Sequence, residues 1–309
     1  MFFRFVDGGL IIRKERLMIK KTLLVGINDY APCGPGGPDL HGCVNDVRDV
    51  AHTLNAIGAL SPLSHIHPIA PKMLRILTDC RATRDAILGG LKWLIRGAKK
   101  GDTLVFYYSG HGSQVLDTNG GEEIDGKDET ICPHDFASAG MIKDDDLRTI
   151  FGGLEAGVNL DVILDSCHSG TATKELVAPG LPLEERPLTY RYVDPPIDYG
   201  FFIDSDPTIP LKGILKPSAG EKEVVISPGL NHVLWAGCRD YQTSAEAQID
   251  GVWRGIFTYC FCKVLRRAGL GITRKKLDAL AGADIRRMGY AQVPQLEGTP
   301  ASIGEKVFT

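Results

Sequence analysis

The chain has 309 residues, with 35 Lys and Arg against 38 Asp and Glu, for a net charge of −3. Near-neutrality argues against a nucleic-acid-binding module, which carries a basic excess, and 43% hydrophobic with 24% charged residues is the composition of a globular chain that buries a real core. Eight cysteines lie scattered at 33, 43, 80, 132, 167, 238, 260 and 262, without a Cys-x-x-Cys pair, which disfavours a zinc ribbon or a small disulfide scaffold.

In chain order, residues 1–20 read as an N-terminal extension. Arg4 and Asp7 interrupt it, so it is a poor signal peptide, and Met18 offers a second start. No apolar run reaches the length of a membrane span, and a reduced, cytoplasmic protein is expected. Residues 22–27 (TLLVGI) form a continuous apolar run, as in a buried parallel strand. After a Gly/Pro-rich loop, Val44, Val47, Val50, Ala51, Leu54 and Ile57 recur at helical spacing, and Gly58 can end that helix. Residues 73–78 read as a second strand, and Thr83 can cap a helix that buries Ile87, Leu88, Leu91 and Leu94. Residues 103–108 (TLVFYY) and 160–164 (LDVIL) read as the third and fourth strands, separated by an acidic glycine-rich loop and a short helix near 145–154. From 173 to 223, eight prolines break every period, so this stretch reads as a linker between a first part (21–172) and a second part (224–309). The second part carries a strand near 231–237 and a helix over 255–268. Strand–helix alternation of this kind predicts an α/β fold, with a mostly parallel central sheet and helices on both faces.

Two loops carry the chemistry. TLVFYY runs into Ser109-Gly110-His111-Gly112, and LDVIL into Asp165-Ser166-Cys167-His168-Ser169-Gly170. Functional groups gather outside the carboxyl ends of parallel strands, so His111 and Cys167 are expected on one rim. A thiolate nucleophile with an imidazole to carry protons is what acyl transfer needs, and backbone N–H groups at Gly112 and Cys167 are placed to hold an oxyanion. Either residue alone reads more simply as core or loop; glycine-flanked positions after core strands favour the catalytic reading.

With GCVNDV at 42–47, the motifs YYSGHGSQ and DSCHSG resemble those of metacaspases, the caspase-like cysteine peptidases of clan CD and peptidase family C14. GCRDYQTSAEA (237–247) and RGIFTYCF (254–261) resemble that family's small-subunit region, so the likeness runs from Lys21 to the C-terminus. The resemblance implies the caspase–haemoglobinase fold, a His111/Cys167 dyad, and a first specificity pocket lined by Cys43, Asp46, Ser109 and Asp165. Two carboxylates there select Arg or Lys and repel Asp; without the resemblance, Asp46 reads as a solvated residue near a helix N-terminus. Lys174, Arg186, Arg191, Lys212, Lys216 and Lys222 make the linker a substrate for the enzyme's own activity. The resemblance also implies a calcium site at Asp128, Asp144 and Asp145, although its fourth acid is Lys174 here, with Glu175 adjacent. Such calcium activates; the bond-breaking chemistry requires no cofactor.

The remaining candidates are weaker. Cys33, His41 and Cys43 fit no common zinc spacing. Cys132 with His134 suggests no catalytic pair, and His168 is too close in sequence to Cys167 to be preferred over His111. Cys260 and Cys262 read as core, His65 and His67 as loop residues, and Gly251–Ile256 carries no signal. A loop near Gln242–Ala245 is expected, by resemblance, to close the substrate cleft. The expected partners are protein or peptide substrates with basic residues, with no nucleic acid or membrane and a monomeric chain. The alternative from another class is a catalytically silent, caspase-like scaffold; a gingipain- or legumain-type peptidase is a second enzymatic alternative.

Overall fold

Strands form here where short runs of β-branched and aromatic residues alternate with amphipathic helical segments. The computed structural model describes residues 3–6, 9–12, 18–31, 38–60, 73–116, 127–167, 188–193, 225–226, 232–239 and 242–308. The strands are β1 (Phe3–Val6), β2 (Gly9–Ile12), β3 (Lys20–Gly26), β4 (Leu74–Thr78), β5 (Thr103–Ser109), β6 (Gly112–Leu116), β7 (Lys127–Ile131), β8 (Ile142–Lys143), β9 (Asn159–Asp165), β10 (Leu188–Tyr190), β11 (Val225–Ile226), β12 (Val233–Ala236), β13 (Ala245–Ile249), β14 (Val252–Gly255) and β15 (Gln295–Gly298). The helices are α1 (Cys43–Ala56), α2 (Arg84–Ile95), α3 (Phe136–Ala139), α4 (Asp144–Phe151), α5 (Ile256–Ala268), α6 (Arg274–Arg287) and α7 (Pro300–Gly304).

A seven-stranded sheet in the order β11-β15-β12-β9-β5-β3-β4 forms the centre. Strands β4, β3, β5, β9 and β12 are mutually parallel, and β15 runs antiparallel to β12. Alternation along each strand sorts side chains to two faces. Leu24, Val105, Tyr107, Ile163 and Trp235 pack under α1, α5 and α6. Leu23, Val25, Leu104, Phe106, Tyr108 and Val162 pack under α2, whose buried face includes Ile87, Leu91 and Leu94. Each such buried side chain contributes about 1.5–3 kcal/mol. Thr83 caps α2, its hydroxyl accepting from the Ala86 N–H. Gly58, at φ +74°, turns the chain just past α1 in a conformation that L side chains rarely adopt.

Across the sheet, Arg274 on α6 donates from Nε and Nη2 to the Asp161 carboxylate on β9, at 2.7 and 3.0 Å, with both side chains fully buried. This ion pair ties the C-terminal part to the central strand of the sheet. The linker also holds an element that periodicity does not predict. Strand β10 pairs antiparallel with β13 at the edge of a three-stranded sheet completed by β14. Three half-buried residues carry no detectable period; the strand is defined by its backbone partner.

Candidate active site

Strands β5 and β9 lie side by side with Ser109 opposite Asp165, so both loops leave the same sheet edge. The Gly110 N–H donates to Asp165 O at 3.4 Å. A Cβ on Gly110 would lie 2.5 Å from the Tyr108 hydroxyl and 2.6 Å from that of Tyr30, so only glycine fits this turn. Those hydroxyls hold the next residue: Tyr30 accepts from the His111 N–H, and Tyr108 donates to His111 O, both at 2.7 Å.

The His111 ring lies 4.9 Å from that of Tyr30, and Nε2 is 2.5 Å from the Pro38 carbonyl. A carbonyl only accepts, which places the proton on Nε2 and the lone pair on Nδ1. Nδ1 is buried with no partner at hydrogen-bond geometry. Burial lowers the ring's pKa to about 4, against an upward pull from the Pro38 and Arg191 backbones, so the imidazole is neutral at neutral pH. Cys167 is buried, and its thiol donates to Ser244 O at 2.9 Å. Its neighbour Cys238 donates to Gln242 O at 3.2 Å, and the proximity of Cys167, with burial, pushes the Cys238 thiol well up.

The four residues expected in the pocket do converge. The Ser109 hydroxyl donates to Asp46 Oδ2 at 3.0 Å, and Cys43 is fully buried at the start of α1, with burial raising its thiol well up. Asp165 is held from two sides: Ser244 Oγ donates to Oδ1 and Thr258 Oγ1 to Oδ2, both at 2.6 Å. Asp46 accepts from the Gly255 N–H at 2.9 and 3.1 Å. Burial, with repulsion from Asp165, raises the Asp46 carboxyl to about 6 even against the attraction of Arg191. Glu246 supplies a third carboxylate that sequence reasoning missed; its two oxygens also accept the His41 and Gly42 N–H groups at 2.7 and 2.9 Å.

Arg191, from the linker, fills this pocket and is fully buried. Its Nη1 lies 3.0 Å from Asp165 Oδ2 and donates to Ser109 Oγ at 2.8 Å. Its Nη2 lies 2.6 Å from Asp46 Oδ2 and 3.5 Å from Glu246 Oε2. Burial opposes the charge, yet the three carboxylates and Cys43 raise the Arg191 pKa well above its usual value. The Arg191 carbonyl accepts from the Gly112 N–H at 2.9 Å and the Cys167 N–H at 3.3 Å. Those are the two donors expected at an oxyanion, and they meet on one oxygen.

Other expectations are corrected. Gly255, in a stretch that reads as uninformative, forms the pocket floor: a Cβ there would lie 2.3 Å from Asp165 Oδ2 and 2.8 Å from both Arg191 Nη1 and Asp46 Oδ2. Thr258, three residues on, braces Asp165. Both lie in the RGIFTYCF motif, whose helical apolar pattern hides their polar roles. Gln242 braces the cleft from behind, donating to Ala291 O at 3.2 Å and accepting from the Val293 N–H at 3.1 Å, while the backbone of Ser244 and Ala245 lines it. The His41 ring packs on Trp253 at 5.1 Å, and His134 Nδ1 meets Asp29 O at 2.6 Å. Cys33, His65, His67 and His168 fall outside the described residues.

The three acids expected to hold calcium are occupied by cations. Asp128 Oδ2 lies 2.6 Å from Lys143 Nζ, and Asp144 and Asp145 lie 3.0 and 3.2 Å from the two Arg148 amino nitrogens. The Asp144 carboxyl is raised, chiefly by burial, with Asp145 and Asp128 adding to the rise and Arg148 opposing it. Among the described residues, no three acidic, His or Cys groups converge on a point that would hold a metal ion. One oxygen of the set, Asp144 Oδ1, is buried without a hydrogen-bond partner. Lys174 and Glu175 lie outside the described residues.

A buried thiol and imidazole at the rim of a mostly parallel sheet, with two backbone donors aimed at one carbonyl, define a cysteine-type peptidase of caspase-like fold. Comparisons with known proteins agree. The profile of the metacaspase, peptidase C14 domain matches residues 20–175. A metacaspase-1 of Mycosarcoma maydis is 33% identical over 302 residues, covering 91% of this chain and 70% of the relative. A metacaspase-1 of Arabidopsis thaliana is 34% identical over 260 residues, covering 81% of this chain and 61% of the relative. A crystal structure of a Geobacter sulfurreducens protein superposes with a TM-score of 0.62 at 27% identity, covering 94% of this chain and 98% of that one. The chain belongs to the metacaspase family and is a caspase-like cysteine peptidase. Among the described residues, no helix is long and apolar enough to cross a membrane.

Proposed function

We propose that this metacaspase is an endopeptidase that cleaves after Arg or Lys, with Cys167 as nucleophile and His111 as proton carrier. The observation that carries the reading is the guanidinium of Arg191 seated among Asp46, Asp165 and Glu246 while its carbonyl sits on the Gly112 and Cys167 N–H groups. Cys167 Sγ attacks the carbonyl carbon, and its proton passes to His111 Nδ1, the buried lone pair without a partner. The two N–H donors take the charge that develops on oxygen. His111 returns the proton to the leaving amine, and water hydrolyses the thioester. No step needs a metal ion, and Lys143 and Arg148 neutralise the calcium candidates Asp128, Asp144 and Asp145.

The pocket presents separate partners to each end of a guanidinium fork, so Arg is preferred over the single point charge of Lys. An Asp side chain would bring a further negative charge to three carboxylates and is excluded. The same preference makes basic residues of the 173–223 linker targets for self-processing. The test is hydrolysis of fluorogenic peptides ending in Arg, Lys, Asp or Asn. Turnover is expected for Arg and then Lys, and none for Cys167→Ala. Cleavage after Asp would overturn the pocket argument, and no turnover by folded protein would favour a silent scaffold.

A further inference from the structure

Six residues of the linker, 188–193, run through the cleft as an extended strand and place one peptide bond at the site. On the amino-terminal side, β10 adds to β13 with Leu188 opposite Ala247, Thr189 opposite Glu246 and Tyr190 opposite Ala245. The Arg191 N–H continues that ladder to Ser244 O at 3.1 Å, the carbonyl that also accepts the Cys167 thiol. Antiparallel strand addition of this kind fixes an extended peptide by its backbone and leaves specificity to pockets. Beyond Arg191, Tyr192 bridges to Gly112, and the Val193 N–H donates to Gly112 O at 3.2 Å. The bond following the buried arginine is therefore gripped on both sides, with its carbonyl oxygen on both N–H donors.

We propose that the chain cuts itself at the Arg191–Tyr192 bond, and that residues 188–193 mask the cleft until it does. This rests on the reading of the site as an Arg-directed peptidase and selects one bond out of the linker's six basic positions. The step balances as an ordinary acyl transfer. Cys167 Sγ bonds to the Arg191 carbonyl carbon as its proton moves to His111. The carbon–nitrogen bond to Tyr192 breaks, and that nitrogen leaves with the proton from His111 as a new amino terminus. Water then adds its oxygen to the acyl carbon, the thiol is restored, and Arg191 ends as a carboxylate. Because the pocket is filled by its own chain, cleavage is intramolecular. A substrate in trans can enter only after β10 leaves β13, which is also what releases the Arg191 product.

The test is purification of the full chain as wild type, Cys167→Ala, Arg191→Gln and Arg191→Lys, with fragments read by intact mass and amino-terminal sequencing. Wild type is expected to yield 1–191 and 192–309, with Tyr192 as a new amino terminus and a half-time independent of protein concentration. Cys167→Ala is expected to stay whole, Arg191→Gln to lose this cut, and Arg191→Lys to keep it at a reduced rate. Circular dichroism melts of each variant separate a lost cut from a lost fold. Cutting only after another linker residue, such as Arg186 or Lys216, would overturn the inference and leave the Arg/Lys peptidase intact. So would an uncut wild-type chain that hydrolyses Arg peptides. The masking claim expects Arg-peptide turnover to rise in step with the new amino terminus, and full turnover by uncut chain overturns it. A folded wild type that cuts neither itself nor any peptide overturns the peptidase reading as well.

Discussion

Replacing Asp165 by Asn tests the pocket without changing its shape. Asn can turn its oxygen towards Thr258 and the bound guanidinium, and its amide towards Ser244 Oγ, whose hydroxyl can accept. The cavity is preserved and one negative charge is lost. At the 3.0 Å separation of Arg191 Nη1 and Asp165 Oδ2, Coulomb's law with an effective dielectric of about 20 gives about 5.5 kcal/mol for the pair. Asp46 and Glu246 remain and compensate in part, so the net loss of binding is about 2–3 kcal/mol. At 1.36 kcal/mol per tenfold, kcat/KM towards an Arg peptide should fall roughly 30- to 160-fold. The assay compares that peptide with its citrulline analogue, which has the same shape without the charge. Citrulline turnover is expected to be low in wild type and little changed by Asp165→Asn. An equal fall for both peptides would refute the electrostatic reasoning and assign Asp165 a purely positioning role.

Further predictions concern the surroundings of that carboxylate. Gly255→Ala pushes a methyl group into Asp165, Asp46 and the P1 side chain, an overpacking of about 1–3 kcal/mol that should lower kcat/KM for Arg peptides by roughly 5- to 160-fold and lower the melting temperature with it; unchanged kinetics would refute the floor assignment. Because the His111 pKa is depressed to about 4 from 6.5, the unfolded chain takes up this proton first. Its contribution to stability is complete above pH 6.5 and falls by about 3 kcal/mol as pH drops towards 4. In the Cys167→Ala background, His111→Gln should therefore lose less urea stability between pH 7 and 4 than its parent does, and equal losses would contradict the burial argument. Arg274→Met leaves Asp161 charged in the core without its cation, costing about 3–5 kcal/mol, whereas adding Asp161→Leu should recover much of it; a double variant no better than the single would show that packing dominates there. Peptide turnover in a chelator should match turnover in calcium, and a clear calcium requirement would show that Lys143 and Arg148 yield Asp128, Asp144 and Asp145 to the ion.

Local order in the chain already determines much of this protein. Apolar runs at β3, β5 and β9 and helical spacing in α1 and α2 specify a parallel sheet, because burial on two faces requires continuous hydrophobic strands. The same order places His111 and Cys167 after neighbouring core strands, and the motifs around them carry the family likeness. Only the tertiary structure brings in Glu246, Gly255, Thr258 and Ser244, since Gly255, at the end of β14, reaches Asp46 from 209 residues away along the chain and Thr258, on α5, reaches Asp165 from 93. No local pattern marks Glu246 as a pocket acid, because its role exists only once Gly42 and Arg191 lie against it. The linker is the clearest case. Its prolines and mixed charges carry no period, and six basic residues look alike in sequence. What singles out Arg191 is a backbone ladder to β13 and two N–H groups on one carbonyl oxygen, and backbone hydrogen bonds to distant strands leave no trace in side-chain order.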